Sequence, residues 1–323
     1  MSTPASSTPG TKLPASSAPA SSTLSTHNGT LSTLDGTSST PGSTLWTPDG
    51  PDLVIHGDNL AAMQRLPENS MQLIYLDPPF NTGRTQQRRT TRSVRDPNGT
   101  HLGFAGTTYA RTIEALSSYD DTFEDYWGFL APRLIEAHRL LRDDGTLYLH
   151  LDWREAHYAK VALDALFGRE CFLNELIWAY DYGAKARSRW PTKHDTILVY
   201  VKNPDRYHFD SAAVDREPYM APGLVTPEKA ARGKLPTDVW WHTIVPTSGS
   251  EKTGYPTQKP LGVLRRIVQA SSRQGDWVLD AFAGSGTTAA AARALGRRSI
   301  SIDESSDAVA IIERRLGLVA ARL

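Results

Sequence analysis

The sequence predicts an α/β fold: a doubly wound, mainly parallel sheet with helices on both faces. Three observations carry this. Short apolar runs of strand length alternate with segments of helical spacing from about Asp52 to Leu316. One run, ending at Leu76, passes into Asp77-Pro78-Pro79-Phe80, and another, Trp277 to Asp280, passes into Ala281-Phe282-Ala283-Gly284-Ser285-Gly286-Thr287-Thr288. In open α/β sheets the carboxyl ends of strands are where ligands bind, so both loops are candidate site segments.

The elements follow in order. Residues 1–45 are dominated by Ser, Thr, Pro, Ala and Gly, with only Lys12, His27 and Asp35 ionisable. Such a segment buries too little apolar surface to offset its ordering entropy, so it is expected to be a disordered tail, or the product of a start placed too early. Asp52 to His56 reads as a strand, Gly57-Asp58 as a turn, and Asn59 as the cap of a helix that Pro67 stops. Gln72 to Leu76 is the next strand. Asn81 to about Asp121 reads as one long polar loop carrying Arg84, Arg88, Arg89, Arg92 and Arg95, and a loop of that length is usually functional. Phe123 to Arg142 has helical spacing, ended by Asp144-Gly145; Thr146 to Leu151 is a buried strand; Trp153 to Phe167 is a helix stopped by Gly168. Phe172 to Tyr180 and Thr196 to Lys202 read as two strands facing each other across a basic loop. Asn203 to Gly254 is rich in Pro, Gly and Trp and weakly periodic. Pro260 to Ser272, Thr287 to Leu295 and Ser306 to Leu316 read as helices, and Trp277 to Asp280 and Ser299 to Asp303 as strands.

Bulk properties exclude several classes. With 35 basic and 35 acidic side chains the chain is neutral, so any polyanion must meet local patches. A single cysteine, Cys171, excludes an internal disulfide and a Cys-rich zinc site, and the histidines do not cluster at ligand spacing, so no metal is expected. No apolar run is long enough to span a bilayer and no leader-like segment opens the chain; a cytoplasmic setting without membrane contact is expected.

The two loops suit different chemistry. An exocyclic amino nitrogen of a base is a poor nucleophile because its lone pair is delocalised into the ring. Two acceptors on its two hydrogens favour the tetrahedral geometry it needs. The Asp77 carboxylate and the Pro78 carbonyl can supply them, Pro78 and Pro79 stiffen the loop, and Phe80 can stack on the base. The bland alternative is a Pro-Pro turn. In the second loop, Gly284 and Gly286 can take positive φ and let backbone approach a ligand, and the helix beyond offers amide donors. No Gly-Lys-Ser/Thr follows, which argues against a phosphate-binding loop, and Thr287 and Thr288 stand where a dinucleotide-binding turn has a third glycine. Asp303 ends the next strand, 17 residues beyond Gly286, where a carboxylate can accept both ribose hydroxyls; Glu304 can share that role, and either could instead be a helix cap. Basic residues (Arg84, Arg88, Arg89; Lys185, Arg187, Arg189, Lys193) and aromatics (Tyr180, Tyr182, Trp190, Trp240, Trp241) suit phosphate contacts and base stacking, or are ordinary solvated loops. His150, Asp152 and Trp153 follow a strand and are candidates to line a base pocket.

Together the two motifs resemble the S-adenosylmethionine-dependent DNA amino-methyltransferases, and their order, catalytic motif first, resembles the beta group of that family. The resemblance implies a seven-stranded methyltransferase sheet in circularly permuted order. It divides the chain into a tail at 1–45, a catalytic half at 46–202, a target-recognition insertion at 203–254 and a cofactor half at 255–323. It implies S-adenosylmethionine as cofactor, bound by Asp280, Phe282, Gly284, Gly286, Thr287 and Asp303. Tyr255 to Pro260, with Gln258 and Lys259, resembles the segment that closes over the methionine end, and Asp58 resembles a position near the cofactor adenine. The implied substrate is double-stranded DNA with a flipped base, adenine N6 favoured over cytosine N4 because Asp77, not serine, leads the motif. A homodimer and a cognate restriction endonuclease are the further partners it suggests. Methyltransferases of RNA or of protein glutamine amides need similar acceptors, and a silent DNA-binding subunit would not need an intact Asp77-Pro78-Pro79-Phe80.

Overall fold

The computed structural model describes residues 45–83, 86–95, 101–102, 108–119, 123–183, 185–246 and 249–323, with backbone alone between 86 and 119. Residues 1–44 of the tail expected at 1–45 lie outside them, as do Arg84 and the side chains of Arg88 and Arg89. In chain order the strands are β1 (Leu53–His56), β2 (Met71–Leu76), β3 (Gln86–Arg95), β4 (His101–Leu102), β5 (Thr108–Tyr119), β6 (Leu141–Leu151), β7 (Phe172–Ala179), β8 (His194–Val201), β9 (Val239–Trp241), β10 (Trp277–Asp280), β11 (Arg298–Asp303) and β12 (Ala321–Arg322). The α-helices are α1 (Asn59–Gln64), α2 (Tyr126–Leu140), α3 (Ala156–Phe167), α4 (Pro227–Arg232), α5 (Leu261–Ser271), α6 (Thr287–Ala294) and α7 (Ser306–Leu316). Among the described residues no helix is long and apolar enough to cross a membrane.

Nine strands form one sheet in the order β12-β1-β11-β10-β2-β6-β8-β7-β9. Every neighbouring pair is parallel except those of β8, which runs antiparallel to β6 and β7. Seven of these strands are the expected ones; the short β12 and β9 extend the two edges. The central β2 is buried at all six positions, as a strand covered on both faces must be. Its alternate residues divide between two cores. Ile74 and Leu76 pack with α1, α2 and α3 through Met63, Leu130, Leu134 and Leu163. Leu73 and Tyr75 pack with α5 and α6 through Leu264, Ile267 and Ala291. Beyond them Val54 meets Ala289 of α6 and Ile312 of α7.

Four local differences from the sequence reading have physical causes. The stretch after residue 81 holds a three-stranded antiparallel sheet, β3-β5-β4, instead of one long loop. Its Thr, Tyr and Ile suit strands, but without a regular apolar stripe the pairing is invisible in sequence. Helix α2 stops at Leu140, ahead of Asp144-Gly145, because Leu141 turns extended (φ −62°, ψ 137°) and pairs with Met71. Asp58, not Asn59, caps α1, its Oδ1 accepting from Ala61 N at 2.8 Å. The ordered fold also starts earlier than Asp52: Leu45 and Trp46 pack against the main core, Trp46 edge-on to Trp277 at 5.6 Å, and Trp277 Nε1 donates to the Pro48 carbonyl at 3.0 Å.

Candidate active site

Strands β2 and β10 are adjacent and parallel, with Tyr75 opposite Asp280. Their outgoing loops therefore emerge side by side at one edge of the sheet. This register brings Asp77-Pro78-Pro79-Phe80 and Ala281 to Ser285, more than two hundred residues away in the chain, to a common cleft of about 850 Å³. Tyr255, Thr257 and Lys259 close one side, and Phe129, Arg133 and Glu304 line another.

The Asp77–Phe80 loop is pinned along its length. Lys259 Nζ donates to Asp77 Oδ2 at 2.5 Å. Asp77 Oδ1 is buried and has no hydrogen-bond partner among the described residues. Tyr126 donates its hydroxyl to the Pro79 carbonyl at 2.9 Å, and Asn81 Nδ2 donates to Glu155 Oε1 at 2.8 Å just beyond the motif. The Phe80 ring lies tilted on His150, centroids 5.8 Å apart, with Lys259 Nζ 5.0 Å from its centre. His150 is fully buried, so it supports the pocket from behind and does not line it. Its Nε2 donates to Asp195 Oδ2 at 3.1 Å, which leaves Nδ1 to accept from the Tyr75 hydroxyl at 2.7 Å; Tyr180 donates to Asp195 Oδ1 at 3.0 Å. Burial pushes the Asp195 carboxyl up, but His150, Lys259 and Tyr180 outweigh it and hold it below the usual range. Burial, together with the charges of Asp77, Asp280 and Asp195, keeps the Tyr75 phenol neutral.

The glycine loop is built differently. Gly284 (φ +50°) and Gly286 (φ +69°) both have positive φ, as expected. Only Gly284 lines the cleft, where an added Cβ would stand 2.9 Å from the Tyr255 ring. At Gly286 a Cβ would meet Ile312 at 2.9 Å, so that glycine serves close packing of α7 and not approach of a ligand. Asp303 holds the loop's shape: its Oδ2 accepts from Gly284 N at 2.8 Å and its Oδ1 from Ser305 N at 2.9 Å. Burial, reinforced by neighbouring Glu304, raises the Asp303 carboxyl to about 6. Burial raises Asp280 further, to about 7, with the charges of Asp77 and Asp303 adding to it. Among the described residues no side chain caps the first turn of α6. Thr287 lines the cleft and accepts from Arg315 Nη1 at 3.2 Å.

Two expected cofactor residues, Asp58 and Gln258, sit elsewhere, and a third, Lys259, is already engaged. Asp58 is occupied by capping α1 and by Arg133 Nη2 at 2.8 Å, and does not line the cleft. Gln258 is a buried brace: Nε2 donates to the Glu251 carbonyl at 2.7 Å, and Oε1 accepts from Thr253 N and Oγ1, both at 2.8 Å. Lys259 lines the cleft but is engaged by Asp77. The sequence reading missed Asn59 and Arg133. Asn59 Nδ2 donates to the Ala281 carbonyl at 2.7 Å, and Arg133 Nε donates to Asn59 Oδ1 at 2.5 Å while its guanidinium lies 3.9 Å over the Phe129 ring. Together they tie α1 and α2 to the start of the glycine loop.

The same edge of the sheet carries exposed aromatics. Trp153 follows β6, Tyr182 and Trp190 lie between β7 and β8, and Trp241 ends β9. Trp190 is 93% exposed. Arg154 and Arg189 lie over the Trp153 ring at 5.0 and 5.8 Å. Lys185, Arg187 and Arg189 are exposed, whereas Lys193 pairs with Asp181 at 2.7 Å and Trp240 is buried. Among the described residues no group of three His, Cys, Asp or Glu could hold a metal ion.

The chain matches the profile of the N6_N4_Mtase family, described as DNA methylase, over residues 71–314. It belongs to that family. The methylase is 31% identical over 275 residues to the DNA adenine methyltransferase YhdJ of Escherichia coli (strain K12), with 83% of each chain covered. It is 28% identical over 265 residues to the Type II methyltransferase M.HpaI of Haemophilus parainfluenzae, covering 81% of this chain and 73% of that one. Two solved structures share the fold: the cytosine-N4-specific PvuII DNA methyltransferase (TM-score 0.57, 15% identity, 83% and 86% covered) and M1.HpyAVI in complex with SAM (TM-score 0.52, 19% identity, 82% and 99% covered).

Proposed function

We propose that this DNA methyltransferase acts on the exocyclic amino group of a base turned out of double-stranded DNA, adenine N6 in preference to cytosine N4, with Asp77 and Pro78 as the acceptors. The observation that carries this reading is Asp77 Oδ1: a buried carboxylate oxygen, at the cleft, without a partner. Leaving such an acceptor unsatisfied costs about 1–3 kcal/mol or more, a cost removed when an amino group arrives. The donor, S-adenosylmethionine, supplies an electrophilic methyl group. The site fits it. Asp280 and Asp303, buried and raised, gain by ionising beside a cation, and Gly284 brings bare backbone to the cleft with the Tyr255 ring packed close over it.

In this reading Asp77 Oδ1 and the Pro78 carbonyl each accept one amino hydrogen and favour the nitrogen as it becomes cationic; the proton leaves afterwards. Phe80, backed by His150, presents a ring for the base. Asp303 and Glu304 are placed for the ribose, and Phe282, tilted against Phe129 at 6.0 Å, gives the adenine an aromatic wall. Lys185, Arg187 and Arg189 contact phosphates, together with Arg84, Arg88 and Arg89. Adenine is favoured because an acid leads the motif and because YhdJ is named an adenine methyltransferase. A cognate restriction endonuclease follows from the Type II names among the relatives, and a homodimer from the resemblance alone.

The test is incubation with methyl-labelled cofactor and mixed genomic DNA, then digestion to nucleosides. Label in N6-methyladenine is expected; label in N4-methylcytosine would overturn the base assignment, and unlabelled DNA the whole reading. Asp77→Ala should lower the rate at least about 10²-fold while cofactor affinity stays nearly unchanged.

A further inference from the structure

We propose that Lys259 is a positioning residue for methyl transfer: it holds Asp77 by one carboxylate oxygen so that the other faces the amino group. The inference rests on the reading above and replaces the expectation that Lys259 binds the cofactor.

The observations are geometric. Lys259 Nζ lies 2.5 Å from Asp77 Oδ2, and both side chains are largely buried, at 12% and 15% exposure. The other oxygen, Oδ1, has no partner. Terminal torsions of Asp are broad and roughly two-fold, so an unrestrained carboxylate would present either oxygen at many angles. A buried ammonium on Oδ2 removes that freedom before substrate arrives, which is preorganisation of an acceptor. Lys259 also offsets charge: Asp77 is close enough to Asp280 to raise its carboxyl, and a buried acid without a cation beside it is costly. The lysine itself is held firmly. The Gln258 amide next to it makes three hydrogen bonds within the segment, and Tyr255 of the same segment lies against Gly284. One short stretch therefore touches both loops, Tyr255 on the glycine loop and Lys259 on the catalytic one.

Asn at position 77 sharpens the idea into a sign reversal. An amide has one acceptor oxygen, and Lys259 would take it, turning the NH2 toward the amino group. The lysine that helps a carboxylate should hinder an amide. The experiment is a double-mutant cycle of Lys259→Met and Asp77→Asn in the full chain, read by single-turnover methylation at saturating cofactor, with cofactor affinity by calorimetry. Lys259→Met alone should lower the rate about tenfold or more, with affinity changed less than about twofold. In the Asp77→Asn background the same change should leave the rate unchanged or raise it. Lys259→Arg, which keeps the charge, should recover part of the loss only when Asp77 is present, and Lys259→Ala carries the same cycle if the Met variant does not fold. Equal losses in both backgrounds, or a loss of cofactor affinity with the saturated rate intact, would overturn the proposal. Wild-type protein that labels no DNA would instead sink the parent reading, so the two failures are distinct.

Discussion

The loops after β2 and β10 occupy equivalent places, on neighbouring parallel strands at the same edge of one sheet, yet they are built on opposite principles. The first is stiff and gripped from outside: two prolines, a lysine on Asp77, a tyrosine on Pro79 and a glutamate on Asn81. The second is made mostly of small residues and held through its backbone, by Asp303 on an amide and Asn59 on a carbonyl. A loop that must aim one oxygen needs its side chains fixed. A loop that must surround a ligand needs its backbone shaped and its side chains out of the way. The sheet supplies the location, and proline or glycine decides which kind of site is made.

Exchanging bulk for space should expose that difference most strongly. Gly284→Val would place a β-branched side chain at φ +50°, at a cost of about 1–2 kcal/mol, and drive its Cβ toward the Tyr255 ring at 2.9 Å. Cofactor affinity should fall at least about tenfold, while the rate extrapolated to saturation changes less, the reverse of Asp77→Ala. Calorimetry with single-turnover rates separates the two. A Gly284→Val protein with normal affinity and a lost rate would erase the distinction between the loops.

Much of this contrast could be read in the chain because its cues are local. The strand Trp277–Asp280 and the helix Ser306–Leu316 match their expected bounds, since apolar runs and a Ser cap mark them directly. The ties between distant segments were not legible. Nothing near Lys259 shows that it reaches Asp77, 182 residues away, or that Gln258 beside it turns inward. Asn59 was read as a cap because Asn caps helices, yet Asp58 caps and Asn59 braces the glycine loop. Periodicity and turn chemistry report a residue's own element, whereas a bridge across the sheet depends on strand order.

That brace gives a smaller effect, felt first in stability. Arg133→Met keeps the packing on Phe129 but removes the bonds to Asn59 and Asp58. The loss should be about 2–3 kcal/mol in denaturant unfolding, since a buried acceptor on Asn59 is left open. Cofactor affinity should weaken through the Ala281 end of the loop, and activity at saturating cofactor should survive. A variant as stable as wild type would mean that the glycine loop holds itself.

The raised acids set a pH signature on the glycine side. Asp280 titrates near 3.8 in the unfolded chain and at about 7 when folded, chiefly through burial. Between those values the folded protein keeps a proton that the unfolded chain has lost, so this group's contribution to stability falls as pH rises from about 4 to about 7. Asp280→Asn should flatten that fall in the ligand-free protein and raise the melting temperature at neutral pH, while weakening binding of a cationic cofactor. Binding to the wild type between pH 6 and 7 should expel protons, visible as a dependence of calorimetric heat on buffer ionisation enthalpy. Binding without proton release would remove Asp280 from the cofactor side.

The smallest effect belongs outside both loops, on the basic segment between β7 and β8. Arg187 and Arg189 are exposed there, next to Trp190, while Lys193 is already paired with Asp181. Counterion release makes each phosphate contact worth about 0.9 in the slope of log affinity against log salt. Arg187→Gln with Arg189→Gln should therefore flatten the slope by about two units, and Lys193→Gln should change it much less, because a lysine engaged by a carboxylate releases fewer counterions. Neither change touches the cleft, so the saturated methylation rate should hold. Replacing Trp190 tests a separate contribution: at 93% exposure it packs little in the free protein, so its removal should weaken DNA binding without moving the salt slope, since stacking releases no counterions. A slope that follows Lys193 and ignores Arg187 and Arg189 would place the DNA backbone on the other side of this loop.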